Sequence, residues 1–173
     1  MSDLRVHKTK YINETKRVSF KYDGKNYFGY EGDTLASALL ANGVHLIGRS
    51  FKYHRPRGIM SCGSEEPNAI CQISDKNDLT EPNVRATELE IYDGLEAFSQ
   101  NCWPNVKFDI GGINNLISPL IPAGFYYKTF MWPKSFWKKV YEPLIRMSAG
   151  LGKSPTEPDP DIYDHKYLSL IHI

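Results

Sequence analysis

The sequence predicts an α+β fold: one helix lies against a small mixed sheet, and an irregular, proline-rich helical extension follows. Two observations support the first part. Alternating polar and apolar residues flank an Asp-Gly dipeptide near the start, and a compact run of helix formers separates these residues from later strand-like stretches. The extension is indicated by eight prolines between Pro104 and Pro160, because proline interrupts both helices and strands.

The first predicted element is a hairpin. Residues 17–22 alternate between polar and apolar side chains, and Asp23-Gly24 is typical of a two-residue hairpin turn. The chain resumes in extended form over residues 26–30. The apolar side chains expected on one face of the first strand are Val18, Phe20 and Tyr22.

A helix is predicted over residues 34–42. Asp33 offers a side-chain oxygen that can cap its first turn, and Gly43 stands where a C-terminal stop is expected. The residues between them are strong helix formers. Those expected on one face are Leu35, Ala38 and Leu39.

Two further strands are predicted, at residues 69–73 and 85–92, with Asp93-Gly94 closing the second. The element order is then strand, strand, helix, loop, strand, strand, and the domain is expected to end near residue 95. Beyond it, a short helix is predicted after Ser135, and Pro143 either kinks it or begins a second helix. Residues 153–161 read as a polar, proline-rich linker.

Composition narrows the class of protein. The 173 residues carry 21 basic and 20 acidic side chains, for a net charge of +1, and 41% are hydrophobic. These values exclude disordered, collagenous and supercharged chains. A near-neutral chain also lacks the positive field on which non-specific nucleic-acid binding depends, so no nucleic-acid partner is expected.

The sequence shows no signal-peptide core and no apolar run long enough to cross a bilayer, so we expect a cytoplasmic protein without a membrane partner. Aromatic residues make up 13% of the chain, and eight of them lie between Phe125 and Tyr141. Such a concentration is found in cores and at partner interfaces.

Three cysteines raise the question of a metal site. A plant-type [2Fe–2S] cluster requires the spacing C-x4-C-x2-C and a distant fourth thiolate. Counted from Cys62, the next two ligands would fall at Pro67 and Ile70, and Cys71 is one residue late. Cys102 does not complete a set of four, so no metal site is predicted and the thiols are expected to be reduced.

A basic loop at residues 49–57 is the candidate binding segment. It carries five basic or titratable side chains, and arginine forks suit phosphate or carboxylate groups. The candidates for contact with a cofactor phosphate or an acidic partner are Arg49, Arg55 and Arg57. The alternative is a solvated loop whose charges pair with nearby acids such as Glu65 and Glu66. No sequence motif for a catalytic site is present, and no catalytic residue is predicted.

Several long blocks carry a family resemblance. Residues 32–69 (GDTLASALLANGVHLIGRSFKYHRPRGIMSCGSEEPNA) and residues 118–133 (SPLIPAGFYYKTFMWP) closely resemble the N-terminal region of alpha subunits of heterotetrameric sarcosine oxidases. The blocks YEPLIRMSAGLG and DPDIYDHKY follow in the same order. The resemblance covers most of residues 17–167.

The resemblance implies a β-grasp domain of the [2Fe–2S] ferredoxin-like type without its cluster cysteines. We therefore expect an N-terminal arm at residues 1–15, a β-grasp domain at 16–95, an aromatic-rich extension at 96–152, and a linker with a truncated tail at 153–173. The final LSLIHI departs from the family, in which a strand and a glycine-rich dinucleotide fingerprint would follow.

The resemblance also implies a function. The family oxidatively demethylates sarcosine to glycine, reduces O2 to hydrogen peroxide and passes the methyl carbon to tetrahydrofolate as 5,10-methylenetetrahydrofolate. FAD, FMN, NAD and tetrahydrofolate would be bound elsewhere in the complex, and no cofactor is expected on this chain. Its partners would be the remaining alpha-subunit domains and the beta, gamma and delta subunits.

Under this assignment the chain is structural and does not oxidise sarcosine by itself. Two alternatives stay open. One is a [2Fe–2S] ferredoxin-like electron-transfer subunit of an amine or amino-acid dehydrogenase. The other is an interaction domain of another multi-subunit dehydrogenase.

Overall fold

The computed structural model describes residues 4–5, 10–74, 80–120, 132–158, 162–169 and 171. Its strands are β1 (Asn13–Tyr22), β2 (Lys25–Glu31), β3 (Gly48–Arg49), β4 (Pro56–Arg57), β5 (Ile70–Ser74), β6 (Thr80–Arg85) and β7 (Leu95–Ser99). Its α-helices are α1 (Leu35–Ala41), α2 (Ile113–Leu116) and α3 (Glu142–Ser148). Short 3₁₀ turns lie at Gly63–Glu65, Ile110–Gly112, Ser118–Leu120 and Lys134–Phe136, and a π-helical turn spans Trp137–Tyr141.

Five strands form one mixed sheet in the order β2-β1-β7-β5-β6. The central pair, β1 and β7, is parallel, and the other neighbours are antiparallel. Helix α1 contributes its apolar face to the core that the sheet also lines. This arrangement is an α+β fold of the β-grasp type. The strands β3 and β4 form a separate two-stranded ribbon in the long connection between α1 and β5.

The predicted hairpin is confirmed. Tyr22 pairs with Lys25 across the turn, and the turn residues Asp23 and Gly24 have φ angles of 47° and 73°. Both positive values are those a type I′ turn requires. The three predicted apolar side chains of β1 are buried, and so are the predicted side chains of the helix face, Leu35, Ala38 and Leu39.

The predicted cap of α1 is wrong by one residue. Thr34 is the N-cap, and its Oγ1 accepts a hydrogen bond from Ser37 N at 3.2 Å. Asp33 is fully buried and binds elsewhere: it accepts from the Tyr30 main-chain N–H at 2.9 Å and pairs with the Arg5 guanidinium. A carboxylate inside the fold is used where a cation can reach it, which leaves capping to the threonine.

The strand predicted at residues 85–92 is also wrong. Strand β6 ends at Arg85, and the chain then turns across the start of α1. There the carbonyl oxygens of Leu89 and Ala86 accept from the N–H groups of Leu35 and Ala36, each at 2.8 Å. The carbonyls of this segment therefore satisfy main-chain donors at the beginning of a helix, which have no partner within the helix.

Strand β7 was not predicted, although it lies in the middle of the sheet. It continues to Ser99, so the sheet extends past the boundary at residue 95. Beyond Ser99, helical segments occupy residues 134–148, and Pro143 lies in the first turn of α3, as the sequence predicts. Residues 121–131, with most of the predicted aromatic cluster, lie outside the described residues.

The segment after α3 returns to the sheet. Gly152 N donates to Asn83 Oδ1 at 3.3 Å, and Lys153 N donates to Gln72 Oε1 at 3.2 Å. A Cβ at Gly152 would lie 2.4 Å from Gln100 Nε2, so a larger residue does not fit this approach. In the described ranges, no helix combines the length and apolar character needed to span a membrane.

Candidate functional site

The candidate site is the long connection between α1 and β5, which contains two distinct loops. We call residues 49–57 the basic loop and residues Met60–Ala69 the Glu66 loop. The first packs on residues 101–116, which we call the post-sheet segment. The second closes around one buried carboxylate.

Four main-chain N–H groups converge on the Glu66 carboxylate, and the residue is only 1% exposed. Oε2 accepts from Met60 N at 2.7 Å and from Ser61 N at 2.6 Å. Oε1 accepts from Asn68 N at 2.8 Å and from Ala69 N at 3.2 Å. Each carboxylate oxygen thus satisfies two main-chain donors on opposite sides of the loop.

Local sequence explains why the loop turns back on itself. Gly63, with φ of +79°, opens the 3₁₀ turn, a conformation that glycine adopts without strain. Glu66 precedes Pro67 and is extended, with ψ of 115°, as expected for a residue before proline. Thr87 Oγ1 donates to Gly63 O at 2.7 Å and ties the loop to the turn after β6.

The loop favours the ionised form of Glu66. Burial acts to raise the pKa of this carboxyl, but the main-chain donors of Ser61, Asn68, Met60 and Ala69 together outweigh it. The pKa of Glu66 is therefore held below its ordinary value of 4.5. The site is a small anion nest built of backbone groups and filled by the protein's own side chain.

The basic loop is tied to the post-sheet segment through Arg49. Its Nε donates to Val106 O at 2.8 Å and its Nη2 to Lys107 O at 3.0 Å. Its Nη1 donates to His54 O at 3.2 Å, within the loop. The guanidinium therefore binds carbonyl oxygens of this chain.

His54 and Asp109 form a second link. His54 Nδ1 lies 2.6 Å from Asp109 Oδ2, and the two side chains are 12% and 1% exposed. The other oxygen of Asp109 accepts from Trp103 N at 3.0 Å and from Gly111 N at 3.1 Å. Asp109 therefore joins the basic loop to both ends of the turn in which it lies.

Arg55 and Arg57 differ in their surroundings. Arg55 Nε donates to Asn115 Oδ1 at 2.7 Å, and its guanidinium lies 4.8 Å from the centre of the Tyr53 ring. Arg57 lies in β4, is exposed, and its guanidinium has no hydrogen bond or ion pair within the described residues. The structure does not bring the three candidate arginines together around one point.

The alternative pairing of basic-loop charges with Glu66 is wrong, because that carboxylate is filled by main-chain donors. Sequence reasoning missed both Glu66 and Asp109 as structural centres. Asp109, two residues before a glycine, carries the signal of an Asx turn. Glu66 is preceded by an exposed glutamate, and its residue type does not distinguish the two.

The thiols test whether this domain fits an iron–sulfur cluster. Cys62 is exposed, Cys71 is buried in β5, and Cys102 is intermediate. Burial raises the pKa of Cys71 to about 12, so this thiol stays protonated in the core. In the described part of the chain, no group of three or more metal-binding side chains is present. Three thiols in such different surroundings do not fit a [2Fe–2S] cluster, which takes four ligands.

Comparison with known proteins gives two related proteins. The chain is 56% identical over 167 residues to the sarcosine oxidase subunit alpha of Rhizobium meliloti, covering 96% of this chain and 17% of that protein. It is 41% identical over 88 residues to the sarcosine oxidase subunit alpha of a Corynebacterium species (strain U-96), covering 50% of this chain and 9% of that protein. The chain thus spans less than a fifth of the length of these curated relatives.

One solved structure is also similar: the crystal structure of L-proline dehydrogenase from P. horikoshii. It covers 54% of this chain and 17% of its own, with 23% sequence identity and a TM-score of 0.40, which is too low to support an argument. The family model described as the 2Fe-2S iron-sulfur cluster binding domain matches residues 15–102, just over half of the chain. The matched range contains the whole five-stranded sheet, and the chain belongs to this family.

Proposed function

We propose that this chain is the N-terminal part of the alpha subunit of a heterotetrameric sarcosine oxidase, and that it contributes to assembly of the enzyme. The observation that carries the proposal is the 56% identity to the Rhizobium meliloti subunit over 96% of the chain. Identity of this extent covers the arm, the sheet and the extension alike.

The complete enzyme in this proposal oxidises sarcosine to glycine. Its methyl carbon passes to tetrahydrofolate as 5,10-methylenetetrahydrofolate, and O2 accepts the electrons and becomes hydrogen peroxide. FAD, FMN, NAD and tetrahydrofolate are bound by other alpha-subunit domains and by the beta, gamma and delta subunits. The complex is placed in the cytoplasm.

An assembly role is supported by the apolar surface of the extension. Trp132, Trp137 and Met147 are 83%, 50% and 74% exposed. Soluble monomers rarely expose large contiguous apolar patches. The proposed occupant is the remainder of the alpha subunit, because the relatives are several times longer than this chain.

The proposal assigns no iron–sulfur cluster to the domain, on the ground that its thiols do not fit one. The second candidate function is a [2Fe–2S] electron-transfer module, which the description of the matching family favours. Metal analysis separates the two. The purified chain is expected to contain no stoichiometric iron or acid-labile sulfide and to be colourless, whereas a brown protein with both would establish the second candidate.

Assembly is tested by complementation. The chain is co-expressed with a Rhizobium meliloti alpha subunit lacking the matching region and with the beta, gamma and delta subunits. We expect the chain to co-elute with the complex and to restore sarcosine-dependent peroxide formation. Trp137→Asp should weaken co-elution, and Ile162→Asp, at a 97% exposed position, is the matched control.

Two results would overturn the assembly proposal: peroxide formation by the isolated chain, or failure of the wild-type chain to co-elute. The phosphate or partner role of the basic loop is a separate proposal. It is best tested at Arg57, whose guanidinium has no partner in the described residues. Arg57→Ala in the complemented complex should lower flavin content or assembly, and unchanged values for both would refute the role.

A further inference from the structure

We infer that the Glu66 loop is a carboxylate-binding site whose resident ligand is the Glu66 side chain itself. The site is defined by the four main-chain donors Met60 N, Ser61 N, Asn68 N and Ala69 N. This inference concerns the folded domain and does not depend on the enzyme that it serves.

The geometry is that of a designed acceptor position. Two donors meet each carboxylate oxygen, at distances between 2.6 and 3.2 Å. The Ser61 hydroxyl adds a longer contact to Oε2 at 3.4 Å. No cationic side chain in the described residues hydrogen-bonds this carboxylate, so recognition depends on the shape of the loop. A free carboxylate of the same size would meet the same donors.

The occupant is needed for the loop to hold its shape. Main-chain N–H groups that face inward and lack an acceptor are strongly unfavourable. Concave arrangements of main-chain donors bind phosphates and iron–sulfur centres in other proteins. In this chain the equivalent position is already filled by an anion that is covalently part of the loop. The Glu66 loop is thereby closed to an external anionic group, which agrees with the mismatch between the thiols and a cluster.

Removal of the resident ligand gives a direct test. Glu66→Ala deletes a CH2–COO⁻ group, which is equivalent to one molecule of acetate. The full 173-residue chain carrying this substitution is followed by thermal unfolding at pH 7, in sodium acetate and in sodium chloride of equal ionic strength. Glu65→Ala, at the exposed neighbouring position, is the matched control.

We expect Glu66→Ala to lower the unfolding midpoint by at least about 5 °C, and Glu65→Ala to change it by less than about 1 °C. Acetate should raise the midpoint of Glu66→Ala, by mass action, more than chloride does. The wild-type protein and Glu65→Ala should respond to the two salts equally. An unchanged midpoint in Glu66→Ala, or equal effects of acetate and chloride on it, would overturn the inference.

Amide spectra locate the bound acetate. In ¹H–¹⁵N correlation spectra of Glu66→Ala, acetate should shift the amides of Met60, Ser61, Asn68 and Ala69 in a saturable manner. Shifts elsewhere with these four unchanged would contradict the site. If Glu66→Ala does not fold, Glu66→Gln decides the question, because its amide group must face two of the four donors. Glu66→Gln should unfold several degrees below Glu65→Gln, and equal midpoints would refute the inference.

Discussion

His54 and Asp109 are 55 positions apart in sequence, yet the Nδ1 of one lies 2.6 Å from the Oδ2 of the other. The contact fixes the basic loop against the post-sheet segment at a place where both side chains are largely buried. Gly111 is packed directly on the imidazole, since a Cβ built there would lie 2.3 Å from His54 Nδ1. The contact therefore requires a residue without a side chain at position 111.

Gly111→Ala should separate the basic loop from the post-sheet segment. The added methyl group overlaps the His54 ring, and relief requires the imidazole to move away from Asp109. We expect a loss of about 1–3 kcal/mol in the free energy of unfolding, as for other overpacked positions, measured by urea denaturation.

Gly112→Ala is the matched control, because nothing lies within 4 Å of a Cβ at that position. It should leave stability within about 0.5 kcal/mol of the wild type. If the two alanine variants prove equally stable, the packing of Gly111 on His54 does not hold the loop.

Arg5→Met should destabilise the domain through Asp33. Arg5 Nη1 donates to Asp33 Oδ1 at 2.8 Å and Nη2 pairs with Oδ2, and Asp33 is fully buried. Removing the cation leaves a buried charge without its counter-ion, which costs about 3–5 kcal/mol. Chemical denaturation measures the loss.

Lys16→Met provides the comparison. Lys16 pairs with Glu31 at the surface, where the two side chains are 64% and 43% exposed, and such pairs contribute about 0–1 kcal/mol. A loss in Arg5→Met no larger than that in Lys16→Met would show that the N-terminal arm does not stabilise the fold.

The contribution of Glu66 to stability should depend on pH. Its pKa is lower in the folded than in the unfolded chain, so the unfolded state binds more protons as the pH approaches 4. The stabilisation is fully present above the ordinary value of 4.5 and is lost as the pH falls through the folded-state pKa. Unfolding free energies of the wild type and Glu66→Gln should therefore differ by a constant amount above about pH 6 and converge below it.

Convergence at low pH is the diagnostic result. A difference between wild type and Glu66→Gln that stays constant from pH 6 to pH 3 would mean that ionisation of Glu66 does not stabilise the loop. Reversibility of unfolding at each pH is the required control.

The three thiols should react at different rates. A disulfide reagent at pH 8 is expected to modify exposed Cys62 first and Cys71 last, because burial keeps the Cys71 thiol inaccessible and protonated. Burial also raises the pKa of Cys102, which should slow its reaction. Cys62→Ser should abolish the fast phase alone. Two fast equivalents in the native protein would contradict the placement of Cys71 in the core.

Much of the first half of the fold could be predicted because its signals are local. The Asp23-Gly24 turn fixes the hairpin, and Leu35, Ala38 and Leu39 show the helical period that places one face in the core. The choice between Asp33 and Thr34 as the cap could not be made locally, since it depends on Arg5 being brought to Asp33 by the tertiary structure.

The misplaced strand has a similar cause. Residues 86–92 alternate well enough to suggest a strand, but their main-chain groups satisfy the start of α1 rather than a sheet neighbour. Strand β7, with the short sequence LEAFS, gains its place from β1 and β5 on either side. The partners of Glu66 are main-chain groups, and no side-chain pattern in the sequence reports them.

The central position of β7 has a consequence for how the domain folds. The pairs β1–β2 and β5–β6 are each joined within a short stretch of chain, whereas β7 must enter between them and pairs Leu95 with Phe20. Synthesis proceeds from the N-terminus, so the two hairpins leave the ribosome before the strand that unites them. Until Ser99 has emerged, both expose an unpaired edge, and this interval is when a chaperone would best protect the nascent chain.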